Sequence, residues 1–337
     1  MHKSNWIRVL LLVVIVAGQI NSNQNKTPAS AGDERESAFS LYKAGKTAEA
    51  IVLLTKVVKE NAQDFEAWLV LGLAQLQKED LKDATKSIET ALKLNSKLAL
   101  AHAGLSYILL LRNKPSDAML EAQTALDLNP NIENAHYVIA VARLRAGEKQ
   151  EAVKHAEAAI KLNPQFAAAY LVKSQALVAF VSNAMVVNKE EAPETHKDHL
   201  IEAAAALEKF LQLNPTAQEN RTWTEQLESL RFFAADNRQQ EDRVFKGLEV
   251  TKKAHVRSRP QPAYPEIAWR NRISGTVVLR GIFAADGKVK HLWIVEAQPM
   301  GLTEAAIEAA RRITFDPATI NGRAVSMYIQ LEYRFRF

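Results

Sequence analysis

Residues 65–98, FEAWLVLGLAQLQKEDLKDATKSIETALKLNSKL, decide the fold of the first two thirds of the chain. The string LNS at 94–96 recurs as LNP at 128–130, 162–164 and 213–215, and the first three occurrences are evenly spaced. A period of about 34 residues predicts a stack of helix-turn-helix units, because one unit cannot bury its apolar face alone. The sequence therefore predicts an all-α solenoid.

Small and apolar residues recur at fixed places in each unit. Alanine lets two crossing helices approach closely, and proline after the second helix ends it. The crossing alanines are Ala84, Ala91, Ala118, Ala125, Ala152 and Ala159. A weaker unit precedes these, with Ala38, Leu41, Ala50, Leu54 and Val57 in the same register.

A fifth unit begins at Ala167, and its closing proline, Pro215, comes later in the chain than an even spacing would place it. We therefore interpret residues near 183–198 as an insertion. Residues 216–233 predict a closing helix, because the end of a solenoid exposes its core. The predicted solenoid spans 33–233, and the polar segment 234–252 is interpreted as a linker.

The last residues, SMYIQLEYRFRF at 326–337, switch to a period of two, which is typical of a half-buried strand. The apolar positions are Met327, Ile329, Leu331, Tyr333, Phe335 and Phe337. Two more strands are predicted at 276–283 and about 289–295, joined by a turn at Asp286-Gly287. Thr303 is a plausible N-cap for a helix to Ile313. The order predicts a small α+β module, a three-stranded antiparallel sheet covered by one helix.

The helical units resemble the tetratricopeptide repeat (TPR), whose W-x2-L-G signature is matched by Trp68, Leu71 and Gly72. The resemblance implies that first helices line a concave groove. The matching groove positions are Leu69, Leu73, Leu76, Tyr107, Leu110, Tyr137, Val141, Leu144 and Arg145. They lack the basic clamp that some relatives use for a peptide carboxylate. We expect an apolar partner segment, a covering part of this chain, or burial between the helices.

Residues 253–337 resemble the C-terminal domain of the TonB energy-transducer family. The matching motifs are P-x-Y-P, G-T-V, A-D-G-K-V, F-D-P-A and N-G-R-A-V. Their key positions are Pro262, Tyr264, Pro265, Gly275, Asp286, Gly287, Phe315, Pro317, Asn321 and Gly322. Tyr264 and Phe315 are interpreted as core anchors. The resemblance implies a periplasmic domain that adds a segment of an outer-membrane transporter to its sheet as a strand.

The residues by themselves favour the same mode of binding. A three-stranded sheet has two free edges, and a free edge pairs with extended peptide through backbone hydrogen bonds. We predict that the last strand is the docking edge, through Tyr328, Gln330, Glu332, Arg334 and Arg336. Arg334 and Arg336 either attract acidic partner residues or protect the edge against aggregation.

Residues 1–22 predict an export signal. Lys3 and Arg8 precede the apolar run Val9–Ala17, which is shorter than the ~20 residues that span a bilayer. That pattern is typical of a secretory signal, with cleavage after Gly18 or Ser22. An uncleaved anchor in the inner membrane is the alternative. In both cases we expect the remainder to be periplasmic.

Composition and motifs argue against nucleic-acid binding and catalysis. Residues 248–337 hold 14 Lys/Arg against 8 Asp/Glu, a net charge of +6, but no clustered basic helix, so we expect no nucleic-acid partner. The chain has no cysteine, which excludes disulfides and thiolate metal sites. Catalytic motifs are lacking too, so we expect no enzyme activity and no cofactor.

The insertion offers one weak metal candidate, His196 and His199 with Glu194 and Asp198. Two histidines at this spacing are not sufficient for a zinc site, and a charged loop leading into a helix explains them as well. We expect no metal.

The sequence predicts a periplasmic adaptor whose solenoid binds one protein and whose C-terminal domain docks another. The alternatives are an envelope assembly scaffold without energy coupling and a metal-binding or enzymatic protein that uses residues 183–198.

Overall fold

The computed structural model describes residues 31–187, 196–214, 217–235, 243–270, 272–298 and 300–336. The predicted export signal and residues 188–195 of the insertion lie outside these residues, as does Phe337. The chain forms two compact units, one that ends at Val172 and one that runs from Lys173 to Phe337.

The predicted solenoid is confirmed as consecutive antiparallel helix pairs. Its helices are α1 Ala31–Lys43, α2 Thr47–Glu60, α3 Phe65–Gln77, α4 Leu81–Leu94, α5 Ala99–Leu111, α6 Pro115–Leu128, α7 Glu133–Arg145, α8 Lys149–Leu162, α9 Ala167–Val187, α10 Lys197–Leu213 and α11 Ala217–Ala234. The six crossing alanines are fully buried. Gly72 is required at its crossing, because a Cβ there would lie 2.6 Å from Cγ1 of Ile88.

A recurring asparagine ends the second helix of four of these pairs. Its Oδ1 accepts a hydrogen bond from the backbone N–H two residues on, at 3.0–3.2 Å, which is an Asx turn. Its own N–H donates to the carbonyl four residues back in the helix. These asparagines are Asn61, Asn95, Asn129 and Asn163. Asn61 extends the period one unit earlier than the LNS string indicates.

A second contact recurs with the same period, from the fourth residue of a first helix to the loop before it. Its four members are Trp68 Nε1 to Ala62 O at 3.0 Å, His102 Nε2 to Ser96 O at 3.0 Å, His136 Nε2 to Pro130 O at 3.3 Å and the Tyr170 hydroxyl to Pro164 O at 3.3 Å. The signature tryptophan therefore ties its helix to the preceding loop, and histidine or tyrosine replaces it in later units. This role accounts for the Nε2 atoms of His102 and His136 without a functional site.

The unit that starts at Lys173 combines the end of the helical array with the C-terminal sheet. Its remaining elements are β1 Val244–Phe245, β2 His255–Ser258, α12 Glu266–Arg270, β3 Gly275–Phe283, β4 Val289–Glu296, α13 Leu302–Arg311, β5 Thr314–Asp316, β6 Ala318–Ile320 and β7 Arg323–Phe335. The main sheet has the order β1-β7-β3-β4, with β6 paired to β7, while β2 and β5 form a separate pair.

The three predicted strands form the antiparallel centre of this sheet. β7 pairs with β3 from Met327 opposite Phe283 to Phe335 opposite Gly275. The predicted alternation is confirmed, since Leu331, Tyr333 and Phe335 are buried while the residues between them are exposed. α13 contacts all three strands.

Two details differ from the sequence prediction. Thr303 is not the N-cap of α13, because Gly301 holds that position with a φ of 83°. The Thr303 hydroxyl instead donates to Gln298 O at 2.9 Å and accepts from Gln298 N at 2.7 Å. The segment interpreted as a linker contains β1, which pairs in parallel with Ser326 and Met327.

Candidate functional site

β7 offers the more open edge of the sheet. On the side opposite β3, β1 pairs with Ser326 and Met327 only. Along 329–335, the described residues include no strand on that side. This stretch of strand backbone is therefore available for a further strand.

One exposed side chain, that of Arg259, reaches this edge. Its Nη2 donates to the backbone carbonyl of Glu332 at 2.6 Å, and its guanidinium lies 4.9 Å from the ring centre of Tyr333. Neighbouring strand residues direct their backbone groups to opposite sides. The N–H and C=O of Gln330 and Arg334 therefore face outward with those of Glu332, while Ile329 and Leu331 bond to β3.

The predicted docking residues all lie on β7 or directly after it. Gln330, Glu332, Arg334 and Arg336 are exposed on the face opposite α13. Gln330 accepts from Arg280 Nε at 3.2 Å, and Arg334 lies 3.6 Å from Glu332. Tyr328 is half-buried, because its ring faces Phe233 of α11 at 6.0 Å. The first four thus form an exposed polar row beside the open edge, and Tyr328 is part of the internal packing.

The other edge strand, β4, is covered by α11. The backbone N–H of Ile294 donates to Gln226 Oε1 at 3.1 Å. The Ser229 hydroxyl lies 3.5 Å from Leu292 O, a marginal contact because it donates to Glu225 O at 2.7 Å. A side chain of α11 therefore takes the place that a neighbouring strand would take at Ile294.

Aromatic packing holds α11 on this edge. The rings of Phe233 and Trp293 are 4.3 Å apart, and both side chains are almost fully buried. Phe232 stacks on His291 at 4.0 Å. Glu225 of α11 forms an ion pair with Arg311 of α13. The closing helix of the array therefore packs on the sheet, and sequence reasoning missed this contact.

The predicted groove residues divide into two groups. Leu69, Leu76, Leu110 and Tyr137 are buried between helices. Leu73, Tyr107, Val141 and Leu144 are partly exposed, and Arg145 is exposed. The second group leaves an accessible, mostly apolar surface on α3, α5 and α7.

Models of known protein families match both the helical array and the C-terminal sheet domain. The model described as "Gram-negative bacterial TonB protein C-terminal" matches residues 260–337. Two models described as "Tetratricopeptide repeat" match residues 41–106 and 137–182. The chain carries TPR repeats and a TonB C-terminal domain. Both resemblances that the sequence indicates are confirmed.

Solved TPR structures also align with the helical part. YrrB, "a TPR protein with an unusual peptide-binding site", is 20% identical over 56% of this chain and 88% of its own, with a TM-score of 0.39. PilW, a "type IV pilus biogenesis factor", is 15% identical over 60% and 87%, with a TM-score of 0.45. PilF of Pseudomonas aeruginosa has the same identity and TM-score over 60% and 86%. Among curated proteins, none matches the chain.

Within the TonB domain, the motif positions form turns and core. Pro262 and Pro265 are partly buried, and the Tyr264 hydroxyl donates to Ile273 O. Phe315 stacks on Phe283 at 3.9 Å. Gly275 begins β3, Pro317 separates β5 from β6, and the remaining positions form the two hairpin turns: Asp286-Gly287 and Asn321-Gly322. Asn321 and Gly322 both have positive φ, as a two-residue hairpin turn requires.

The metal candidate of the insertion is not assembled in the described part of the chain. His199 stacks on Phe180 at 4.6 Å, with His196 beside both rings. The described residues hold no group of three metal-ligating side chains, and Glu194 lies outside them.

TPR repeats and TonB C-terminal domains are protein-interaction modules, and the TonB domain indicates an envelope-associated protein. None of the described helices is long and apolar enough to cross a membrane.

Proposed function

We propose that this protein is a periplasmic adaptor that docks an outer-membrane transporter, or another envelope protein, by strand addition to β7. The observation that carries the proposal is the open edge at 329–335, where backbone donors and acceptors face outward beside an exposed polar row. A partner segment entering there would continue the ladder that β1 begins at Ser326 and Met327.

Charge favours an acidic partner segment. Arg334 and Arg336 lie on the exposed face of the strand, and Arg259 lies at its edge. Glu332 is the only acid among the four polar-row residues, and it already lies 3.6 Å from Arg334. Complementary charge of this kind mainly raises the association rate and selects among partners.

The solenoid binds the second protein in this proposal. Its accessible groove residues are apolar apart from Tyr107 and Arg145, which suits an apolar segment laid across α3, α5 and α7. The adaptor would then join two envelope proteins, with each unit contributing one surface.

Site-specific cross-linking tests the docking edge in the full-length chain. A photo-cross-linking amino acid at position 332, in the native cell, should capture one outer-membrane protein that mass spectrometry identifies. Gln330→Pro should abolish that product, because proline removes an outward N–H without removing a bond to β3. The control places the same cross-linker at the exposed Glu308 on α13. Equal capture at both positions, or unchanged capture with Gln330→Pro, would contradict docking at β7.

The state of the N-terminus distinguishes an energy transducer from a scaffold. A force-transmitting protein must stay tethered, so its N-terminus should remain intact. N-terminal sequencing of the exported protein that finds a start at Gln19 or Asn23 would favour a free adaptor or assembly scaffold. The same cross-linking result at position 332 is compatible with either state.

A further inference from the structure

Two histidines face each other between the helices of one repeat in the unit that ends at Val172. His136 on α7 and His155 on α8 approach with their Nδ1 atoms 3.1 Å apart. The ring centres are 5.3 Å apart, so the rings meet through these nitrogen atoms and not by stacking. Ala135 and Ala156, their neighbours in the chain, are fully buried. Both histidines are therefore anchored in packed helix segments, which fix the distance between them.

The bond from His136 to the preceding loop determines which of its nitrogens can accept. Its Nε2 bonds to the carbonyl of Pro130 at 3.3 Å, and a carbonyl only accepts, so Nε2 carries the proton. The Nδ1 of the neutral ring therefore directs a lone pair at His155. Histidines that bind metal ions are usually held in this way, with the second ring nitrogen donating to a backbone carbonyl or a carboxylate.

The preceding repeat shows that the loop bond does not require a second histidine. There, His102 makes the same bond through Nε2, and its Nδ1 bonds to Glu121 Oε2 at 2.7 Å. In both repeats the partner lies 19 residues after the first histidine, so Glu121 occupies the place of His155. A carboxylate at this place bonds to the first histidine equally well. The facing imidazoles therefore need a different explanation.

The distance between the two nitrogens fits two ligands of one transition-metal ion. Imidazole nitrogens on one ion lie about 3.3 Å apart in a tetrahedral zinc site, and about 2.9 Å apart at neighbouring corners of a square-planar copper site. Burial lowers the pKa of both His136 and His155, which favours the neutral rings that bind metals. To direct a second lone pair at the ion, His155 carries its proton on Nε2.

The charged groups around the pair largely offset each other. Glu151 lies one turn before His155 on α8 and attracts a cation, whereas Lys154 and Arg143 repel one. Lys154 lies 3.6 Å from Glu151, and Arg143 forms an ion pair with Glu148. Both of these basic side chains thus have a carboxylate partner, which reduces their repulsion of a bound ion.

We propose that His136 and His155 bind a divalent transition-metal ion, Cu²⁺ or Zn²⁺, through their Nδ1 atoms. Water completes the coordination, because within the described ranges no third metal-ligating side chain joins the pair. The ion replaces the hydrogen bond between the rings and links α7 to α8. Copper should bind more tightly than zinc, as the general order of metal affinities requires. The site does not depend on either proposed protein-binding surface.

Metal titration of the full-length chain, prepared without an affinity tag, tests the proposal. Copper and zinc are added separately in competition with a chromophoric chelator, and electron paramagnetic resonance at equimolar copper should report two imidazole nitrogens. His155→Gln, which keeps the loop bond, should weaken copper binding about tenfold or more, since even residues that only orient a ligand contribute roughly 10- to 100-fold. His136→Gln should weaken it as much. Circular dichroism confirms that the helices of each variant are intact.

His102→Gln is the matched control, because it removes the same loop bond from a histidine that faces a carboxylate, and it should leave the copper affinity unchanged. Glu121→His should add a second site, since it places two imidazoles in the same arrangement one repeat earlier. Absence of copper binding, or unchanged binding in His155→Gln, would overturn the site and leave only adventitious binding at other histidines. An equal loss in His102→Gln would overturn it too, by assigning the effect to helix packing.

Discussion

The two edges of the C-terminal sheet are protected in different ways. At β4, the helix α11 lies along the strand, accepts the N–H of Ile294 and buries Trp293 under Phe233. At β7, β1 pairs with Ser326 and Met327 only, and along 329–335 the described residues add one exposed arginine, Arg259, which bonds to the carbonyl of Glu332. The first edge is closed by packing and the second by a side chain that lies in solvent. Since unpaired edges promote aggregation, the weaker protection at β7 is consistent with an edge that must open for a partner.

Among variants at the two edges, Phe233→Ala, at the β4 edge, should have the largest effect on the free energy of unfolding. Removing an almost fully buried ring from α11 should lower the free energy of unfolding by about 3–5 kcal/mol. Urea unfolding followed by tryptophan fluorescence measures it, because Phe233 contacts Trp293. Phe232→Ala, at a half-buried neighbour, should cost clearly less. Equal losses would mean that α11 does not pack on β4 through Phe233.

The second test compares prolines at adjacent positions of β7. Ile329→Pro removes an N–H that bonds to β3 and should cost about 2 kcal/mol or more. Gln330→Pro removes an outward N–H and should cost about 1 kcal/mol or less, because proline is tolerated when its missing N–H faces away from the sheet. Thermal unfolding of both variants measures the contrast. Similar losses would show that the outer side of Gln330 is not open.

The third test removes the hydrogen bond at the closed edge. Gln226→Leu leaves the N–H of Ile294 without an acceptor and should cost about 1–2 kcal/mol. Hydrogen exchange at Ile294 should accelerate, while exchange along the β3–β7 ladder stays slow. Glu228→Leu, exposed on the same helix, is the matched control and should leave Ile294 protected. An unchanged exchange rate in Gln226→Leu would mean that packing alone shields this edge.

The smallest effect on stability is expected at the open edge. Arg259→Ala removes one exposed hydrogen bond and should change the free energy of unfolding by at most about 1 kcal/mol. Its effect on association should be larger, because the carbonyl of Glu332 becomes available. Sedimentation velocity should detect more self-association, and cross-linking from position 332 should increase. A variant that is strongly destabilised without a gain in association would assign Arg259 a structural role instead.

Local patterns made the helical array and the three central strands predictable. The Asx turn at each recurring asparagine involves a residue two positions away, and the alternation of β7 is visible in the last residues of the chain. Whether a sheet edge is covered depends instead on residues that are far away in the sequence. Gln226 and Ile294 are 68 residues apart, and Arg259 and Glu332 are 73 apart. Residue periodicity carries no information on such pairs. The sequence therefore predicted two free edges, whereas the described residues cover β4 and leave β7 open along 329–335.

The candidate groove shows the same limit on a smaller scale. The TPR resemblance placed both Tyr137 and Arg145 among the groove positions of α7. It could not show that Arg145 has no acidic partner among the described residues, while Arg143, two residues earlier, has Glu148. That distinction depends on which side chains of neighbouring helices reach each guanidinium.

Because α11 covers β4, the point at which a shortened fragment begins determines which sheet edges it exposes. A fragment beginning at residue 253, where the TonB resemblance begins, would lack both α11 and β1. It would expose Trp293 and the outward N–H of Ile294 to solvent, and two edges would then compete for any strand offered to them. Capture experiments with such a fragment would report an edge that the intact chain conceals. A fragment beginning at Lys173 would keep α11 and β1, so β4 would stay covered and β7 would stay the open edge, as in the intact chain.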